Sequence, residues 1–367
     1  MPRENDGACP NRGVRRGAAI ACVTPRRTRR QDRPCPSCGR HALPRPVTSI
    51  SQELLLLRSY IKPINIPISQ IVISGLYQVA RKAKTSEAKV KTFLQIRIQR
   101  AEPDTELLGL CAGYEGGVWR ADQYAKTLIR NLPQFALPIE KWADFNTATG
   151  VEQLARAARS IYTTNKYHNR GEVGELMLFA IMREHYNSEP VVSKFYFKSS
   201  ANETVHGFDA VHVVSTPAGP ELWLGEVKFY TRLSAAMRDV LKELKQHLEV
   251  DFLHEEFMWI ENKMGDGTSH AAELRKLLDD STSLDEVFNV MHVPILLTYK
   301  SKTVGTHKIV DESYTETIAK ELSDHFDTFR AKGLPTNIRV HVLLVPLLGK
   351  ARLLKAFDER LKALQKL

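Results

Sequence analysis

Along the second half of the chain, the spacing of apolar positions switches repeatedly between the helical and the extended period. Helical spacing over 150–163 and again over about 170–186 is followed by strand-like runs at 191–198, 207–214 and 222–229. Then come an amphipathic helix at 234–250, a charged helical segment to about 290, a strand at 293–299, a helix at 312–331, a strand at 338–345 and a basic C-terminal helix. The stretch LMLFAIM in the second helix is apolar on every side, so that helix should lie beneath other elements. The order α-β-β-β-α-β predicts an α/β (α+β) fold with a mixed central sheet flanked by helices.

The first half reads differently. Residues 49–148 carry QELLLLRSYIK, IPISQIVISGLYQVARKA and the period-two run KVKTFLQIRIQ, a smaller N-terminal α+β region. GVWRADQYAKTLIRNLPQFAL predicts an amphipathic helix over 119–132 that stops at Pro133, with Trp119, Tyr124 and Leu128 packed inward. The organisation expected is a leader at 1–48, this region at 49–148 and a domain at 149–367. No apolar run is long enough to cross a bilayer, and the N-terminus lacks a signal-peptide core, so a cytoplasmic protein with no membrane partner is expected.

Composition adds little to that picture. The net charge of +10 over 367 residues invites a nucleic-acid reading, but residues 1–48 hold 11 Arg, no Lys and three acids. The rest keeps 41 basic against 39 acidic residues, so any basic surface there is a local patch. Four of the five cysteines also fall in the leader. Cys35 and Cys38 have the spacing of half a zinc site, but Cys9, Cys22 and His41 stand at irregular distances, so neither zinc nor a disulfide framework is expected.

Candidate chemistry sits in GPELWLGEVKFY, where an apolar strand carries Glu226 and Lys228. Charges in such a strand are paired, bound to an ion or catalytic, because unpaired charge out of water is expensive. The turn STPAGP predicts a hairpin in which facing residue numbers sum to 435: Val213 with Leu222, Val211 with Leu224, Asp209 with Glu226 and Gly207 with Lys228. Directly opposed residues share a face, so Asp209, Glu226 and Lys228 converge. Two facing carboxylates repel unless a cation or a proton lies between them, and oxygen ligands suit Mg2+ or Mn2+. Lys228 would orient or deprotonate a metal-bound water; the alternative is a salt bridge of Lys228 with Glu226 or Asp209. In the preceding helix, RGEVGELMLFAIMREH, Glu172 and Glu175 share a face. Glu175 is expected to be the more buried and a further metal ligand, with Glu172 in reserve and the Val227 carbonyl as an additional donor.

An acidic helix, a strand Asp and Glu-x-Lys on the next strand resemble the PD-(D/E)XK nuclease superfamily, here with Gly207-Phe208-Asp209 in place of the eponymous Pro. CAGYEGGVWRADQYAKTLIRNLPQFAL, RGEVGELMLFAIMREH, HGFDAVHVV and LGEVKF are similar to the HamA family of Hachiman anti-phage defence and to the related AbpA proteins, from about residue 107 to the C-terminus. That resemblance implies a restriction-endonuclease-like core, DNA as substrate, magnesium as cofactor, a superfamily 2 helicase as partner, and Glu175, Asp209, Glu226 and Lys228 as catalytic residues. A non-catalytic DNA-binding or assembly subunit and a stand-alone restriction-type endonuclease are the alternatives. His206 is read as a phosphate contact or a solvated residue, and His212 as packed. Arg238, Lys242, Lys245 and Gln246, and the C-terminal Lys350, Arg352, Lys355, Arg360 and Lys362, are read as DNA-backbone contacts or ordinary solvated faces.

Overall fold

The near-continuous apolar runs at Met291–Lys300 and Arg339–Leu347 occupy the middle of a seven-stranded sheet, where both faces are covered and alternation is not required. The computed structural model describes residues 92–142, 146, 148–161, 171–192, 207–265 and 267–367, all within the unit Ser86–Leu367. Expectations for the leader, for 49–91, for the end of the strand expected at 191–198 and for His206 lie outside the described residues.

In chain order the elements begin with β1 (Gln95–Ala101), β2 (Thr105–Cys111) and a small ribbon of β3 (Tyr114–Glu115) and β4 (Val118–Trp119). Helices α1 (Ala121–Ala136), α2 (Gly150–Ser160) and α3 (Glu172–Tyr186) follow, then β5 (Glu189–Val192), β6 (Ala210–Thr216) and β7 (Gly219–Phe229). Next are α4 (Leu233–His247), α5 (Val250–Lys263), α6 (Ala271–Leu278), α7 (Leu284–Val290) and β8 (Met291–Lys300). The chain closes with α8 (Lys302–Thr306), α9 (Glu312–Arg330), β9 (Arg339–Leu347) and α10 (Lys350–Gln365).

The sheet order is β1-β2-β9-β8-β7-β6-β5. β2, β9, β8 and β7 run parallel to their neighbours, while β1 pairs antiparallel with β2 and the β5–β6–β7 side is an antiparallel meander. The expected mixed sheet with flanking helices is therefore present. β2 is hydrogen-bonded onto β9 and β1 onto β2, so strands from before and after residue 148 feed one sheet and one core. Local pattern reports which residues are apolar and not which distant strand they will meet, so the attachment of β2 to β9 was invisible to it.

Pro133 does not end α1. The helix runs on to Ala136 and the Leu137 N–H bonds the Pro133 carbonyl, because a proline this close to a helix end forfeits one hydrogen bond while its ring packs in the core. The rest of α1 behaves as its spacing predicts, with Tyr124, Leu128 and Leu132 buried where α1 meets α2, α3 and α10. The all-apolar helix α3 is buried along nearly its whole length. Its Gly174 lies so close to β7 that an added Cβ would stand 2.7 Å from a Val227 methyl and 2.8 Å from the Phe229 Cβ. Val227 and Phe229 thus point toward α3, and the strand period sends Glu226 and Lys228 to the opposite face, where α4 lies.

Candidate active site

The hairpin register is the one read from the turn. Val213 pairs with Leu222, Val211 with Leu224 and Ala210 with Gly225. Asp209, one residue ahead of that ladder, reaches across so that its Oδ2 accepts the Val227 N–H at 2.9 Å. The two acids meet where β6 and β7 part: Asp209 is half-buried at the strand's start, while Glu226 is 1% exposed.

Glu226 keeps the ion pair with Lys228 that the sequence offered as an alternative, but its shorter contact is with a histidine. Its Oε2 stands 4.0 Å from the Lys228 ammonium, whereas its Oε1 is 2.6 Å from His247 Nδ1. Burial pushes the Glu226 carboxyl up to about 7; the His247 hydrogen bond opposes that rise and the Asp209 charge adds to it. Lys228 is itself buried, bonds the Val227 carbonyl at 3.2 Å and forms its close ion pair with Glu243. Burial disfavours its charge, yet the hydrogen bond to Glu243 and the charges of Glu226 and Asp209 outweigh that and raise its pKa. Lys228 is therefore a cation at neutral pH, suited to orient water or stabilise negative charge and not to take a proton from water.

The two helical acids exchange their expected places. Glu172 is 6% exposed and Glu175 is half-buried, because the close approach at Gly174 turns the first turn of α3 so that Glu172 points into the protein. There it lies near Lys350, which is held over the Phe229 ring at 4.5 Å and bonds the Phe229 carbonyl at 2.9 Å. Glu175 instead lines a small cleft together with Asp209, Gln134, Phe179 and His212. The structure thus joins Glu175 to Asp209, and Asp209 to the Glu226 strand, with Glu226 and Lys228 facing α4 on the other side of the sheet. His212 is packed as expected: its Nδ1 meets the Ser188 hydroxyl at 2.8 Å, and burial lowers it to about 3, aided by the Arg183 charge.

Asp209, Glu226 and the Val227 carbonyl offer hard oxygen donors at one strand end, a donor set that fits Mg2+ or Mn2+. Among the described residues no group of three histidine, cysteine or acidic side chains is gathered closely enough to hold an ion. The oxygens have protein partners instead: His247 on Glu226, the Val227 N–H on Asp209 and Lys228 on the Val227 carbonyl.

Sequence reasoning missed Glu243, His247 and Glu256. Glu243 and His247 are four apart on α4, and that spacing was the available signal. Arg238, Lys242, Lys245 and Gln246 lie on the exposed face of α4. In α10, Lys355, Arg360 and Lys362 pair with Glu359, Asp122 and Asp358.

Residues 89–361 match the HamA family model. Anti-bacteriophage protein A of Escherichia coli (strain K12) is 22% identical over 256 residues, covering 66% of this chain and 46% of that protein. The chain thus spans about half the length of this relative. Among the described residues, no helix is long and apolar enough to cross a membrane.

Proposed function

The chain belongs to the HamA family, and on that footing we propose that it is a metal-dependent DNA nuclease, the effector of a helicase-nuclease anti-phage defence system. The observation that supports this reading is Asp209 held on the N–H of Val227, the residue next to Glu226, with the Lys228 ammonium 4.0 Å from Glu226. The printed name of the Escherichia coli relative supports the anti-phage part.

Asp209, Glu226 and the Val227 carbonyl would hold the divalent cation, with Glu175 across the cleft from Asp209. When bound, such an ion neutralises the two carboxylates and lowers the pKa of a coordinated water. The protein's own residues do the rest. The Val227 N–H fixes the Asp209 carboxylate, and His247 fixes that of Glu226. Lys228, kept protonated by Glu243, offers positive charge to the phosphoryl oxygens as water adds to phosphorus and the P–O bond to the leaving sugar oxygen breaks. A superfamily 2 helicase would deliver the DNA, since the body of the chain is close to charge balance.

The test is incubation of the purified protein, with and without the helicase encoded beside it, on linear and circular DNA in Mg2+ or EDTA. Mg2+-dependent cutting that Glu226→Gln abolishes is expected; cutting that survives this change, or no cutting under any condition, refutes the reading. A second reading, a DNA-binding or assembly subunit that does not cut, is favoured by the absence of a gathered three-residue ion site among the described residues. It forecasts DNA binding and phage resistance that both persist in Glu226→Gln.

A further inference from the structure

Resting on that nuclease reading, we infer that His247 and Glu256, from the helical hairpin α4–α5, are positioning residues for the two catalytic carboxylates, His247 for Glu226 and Glu256 for Asp209.

His247 ends α4, one helical turn after Glu243, and its Nδ1 lies 2.6 Å from Glu226 Oε1. When Glu226 is ionised its oxygens only accept, and the proton of this contact is then on His247 Nδ1. The imidazole is itself immobilised, stacked on Phe252 at 4.4 Å and 12° and meeting the edge of Phe208 at 5.1 Å. Glu226 thus receives an oriented donor on a ring that packing holds still.

Glu256, one helix further on, works on the other acid through the backbone. It is 5% exposed, and its Oε1 accepts the N–H of Phe208, the residue immediately before Asp209, at 3.2 Å. Gly207 accommodates this contact: at φ +102° it adopts a conformation other residues avoid, and a Cβ there would sit 1.9 Å from Glu256 Oε2. This accounts for Gly-Phe-Asp where the superfamily pattern has a proline, because the carboxylate takes up the space over residue 207 and needs the N–H of residue 208. The Phe208 ring, wedged against His247, ties the two halves together, and one helical hairpin sets both acids.

The experiment is calorimetry of Mn2+ binding to the full chain and to His247→Ala, His247→Asn, Glu256→Ala and Glu256→Gln, with thermal melts in EDTA to establish folding. Asn keeps a donor near the Nδ1 position and Gln keeps the acceptor. The Ala variants should therefore bind about 10- to 100-fold more weakly while the Asn and Gln variants stay within about threefold of the parent, the range typical when a metal ligand loses its outer hydrogen bond. If Glu256→Ala does not fold, His247→Ala carries the comparison. Unchanged binding in the Ala variants, tighter binding there, or equal losses in Ala and conservative variants would each overturn the inference. An unaltered chain that binds no Mn2+ would reject the metal-dependent reading itself and this inference with it, an outcome distinct from the others because it needs no variant.

Discussion

Replacing Glu226 by Gln should make the protein more stable at pH 8 and change its stability much less at pH 5. Burial and the Asp209 charge penalise the ionised form of Glu226 and outweigh the His247 hydrogen bond and the Lys228 charge that favour it, so the folded state raises its pKa from 4.5 to about 7. Between those values the folded protein holds a proton that the unfolded chain releases, so stability is lost as pH rises through this window. At about 1.4 kcal/mol per pH unit, the window caps the cost at roughly 3 kcal/mol above pH 7, and at about 0.8 kcal/mol near pH 5. Gln keeps the volume and an oxygen for the His247 N–H but carries no charge. For a folded unit of this size the gain corresponds to a rise in Tm of about 5 °C at pH 8. The assay is paired thermal melts of parent and variant in EDTA from pH 5 to pH 8.5. Taking the difference cancels the titrating groups that do not interact with Glu226. A fall in Tm at pH 8 would mean that Glu226 is the stabilising partner of a salt bridge, and a pH-independent gain would mean that its charge is not what the fold resists. Either result refutes the reasoning. Adding Mg2+ at pH 8 should then raise the Tm of the parent and not of the variant.

Lys228→Met should retain Mn2+ binding within about tenfold and lose cleavage, because both carboxylates remain and only the cation is removed; loss of binding seen by calorimetry would make Lys228 a support for the acids instead. Below pH 6.5 the whole protein should weaken: burial depresses His212 and His292 to about 3, so the unfolded chain takes up protons that the folded one refuses. At pH 5 each histidine should cost roughly 2 kcal/mol, visible as a smaller free energy in urea unfolding at pH 5 than at pH 7.5; equal values would contradict it. Gly207→Ala should destabilise by roughly 2–4 kcal/mol, since it adds a Cβ against the Glu256 carboxylate at positive φ; a melt showing no change would mean Glu256 can withdraw without cost.

The turn between HGFDAVHVV and ELWLGEVKF was enough to determine the register of β6 on β7 from Ala210 and Gly225 to the turn itself. That register is local, because a two-residue turn between the strands fixes it. The helices around the sheet were legible because each depends on a period within one segment, and the mixed character of the sheet because a hairpin makes neighbours antiparallel while a helical crossover makes them parallel. Three matters were decided only in three dimensions. The pairing of β2 with β9 joins residues more than two hundred positions apart, and no local period encodes a partner at that distance. The relative burial of Glu172 and Glu175 turned on the close approach of Gly174 to β7, a rotation of the helix about its axis that neighbouring residues alone do not specify. The partners of the motif itself also came from elsewhere: Lys228 closes on Glu243, Glu226 on His247 and the Phe208 peptide on Glu256. A buried charge must find a counterpart, and which one it finds depends on the helix that folding brings over it.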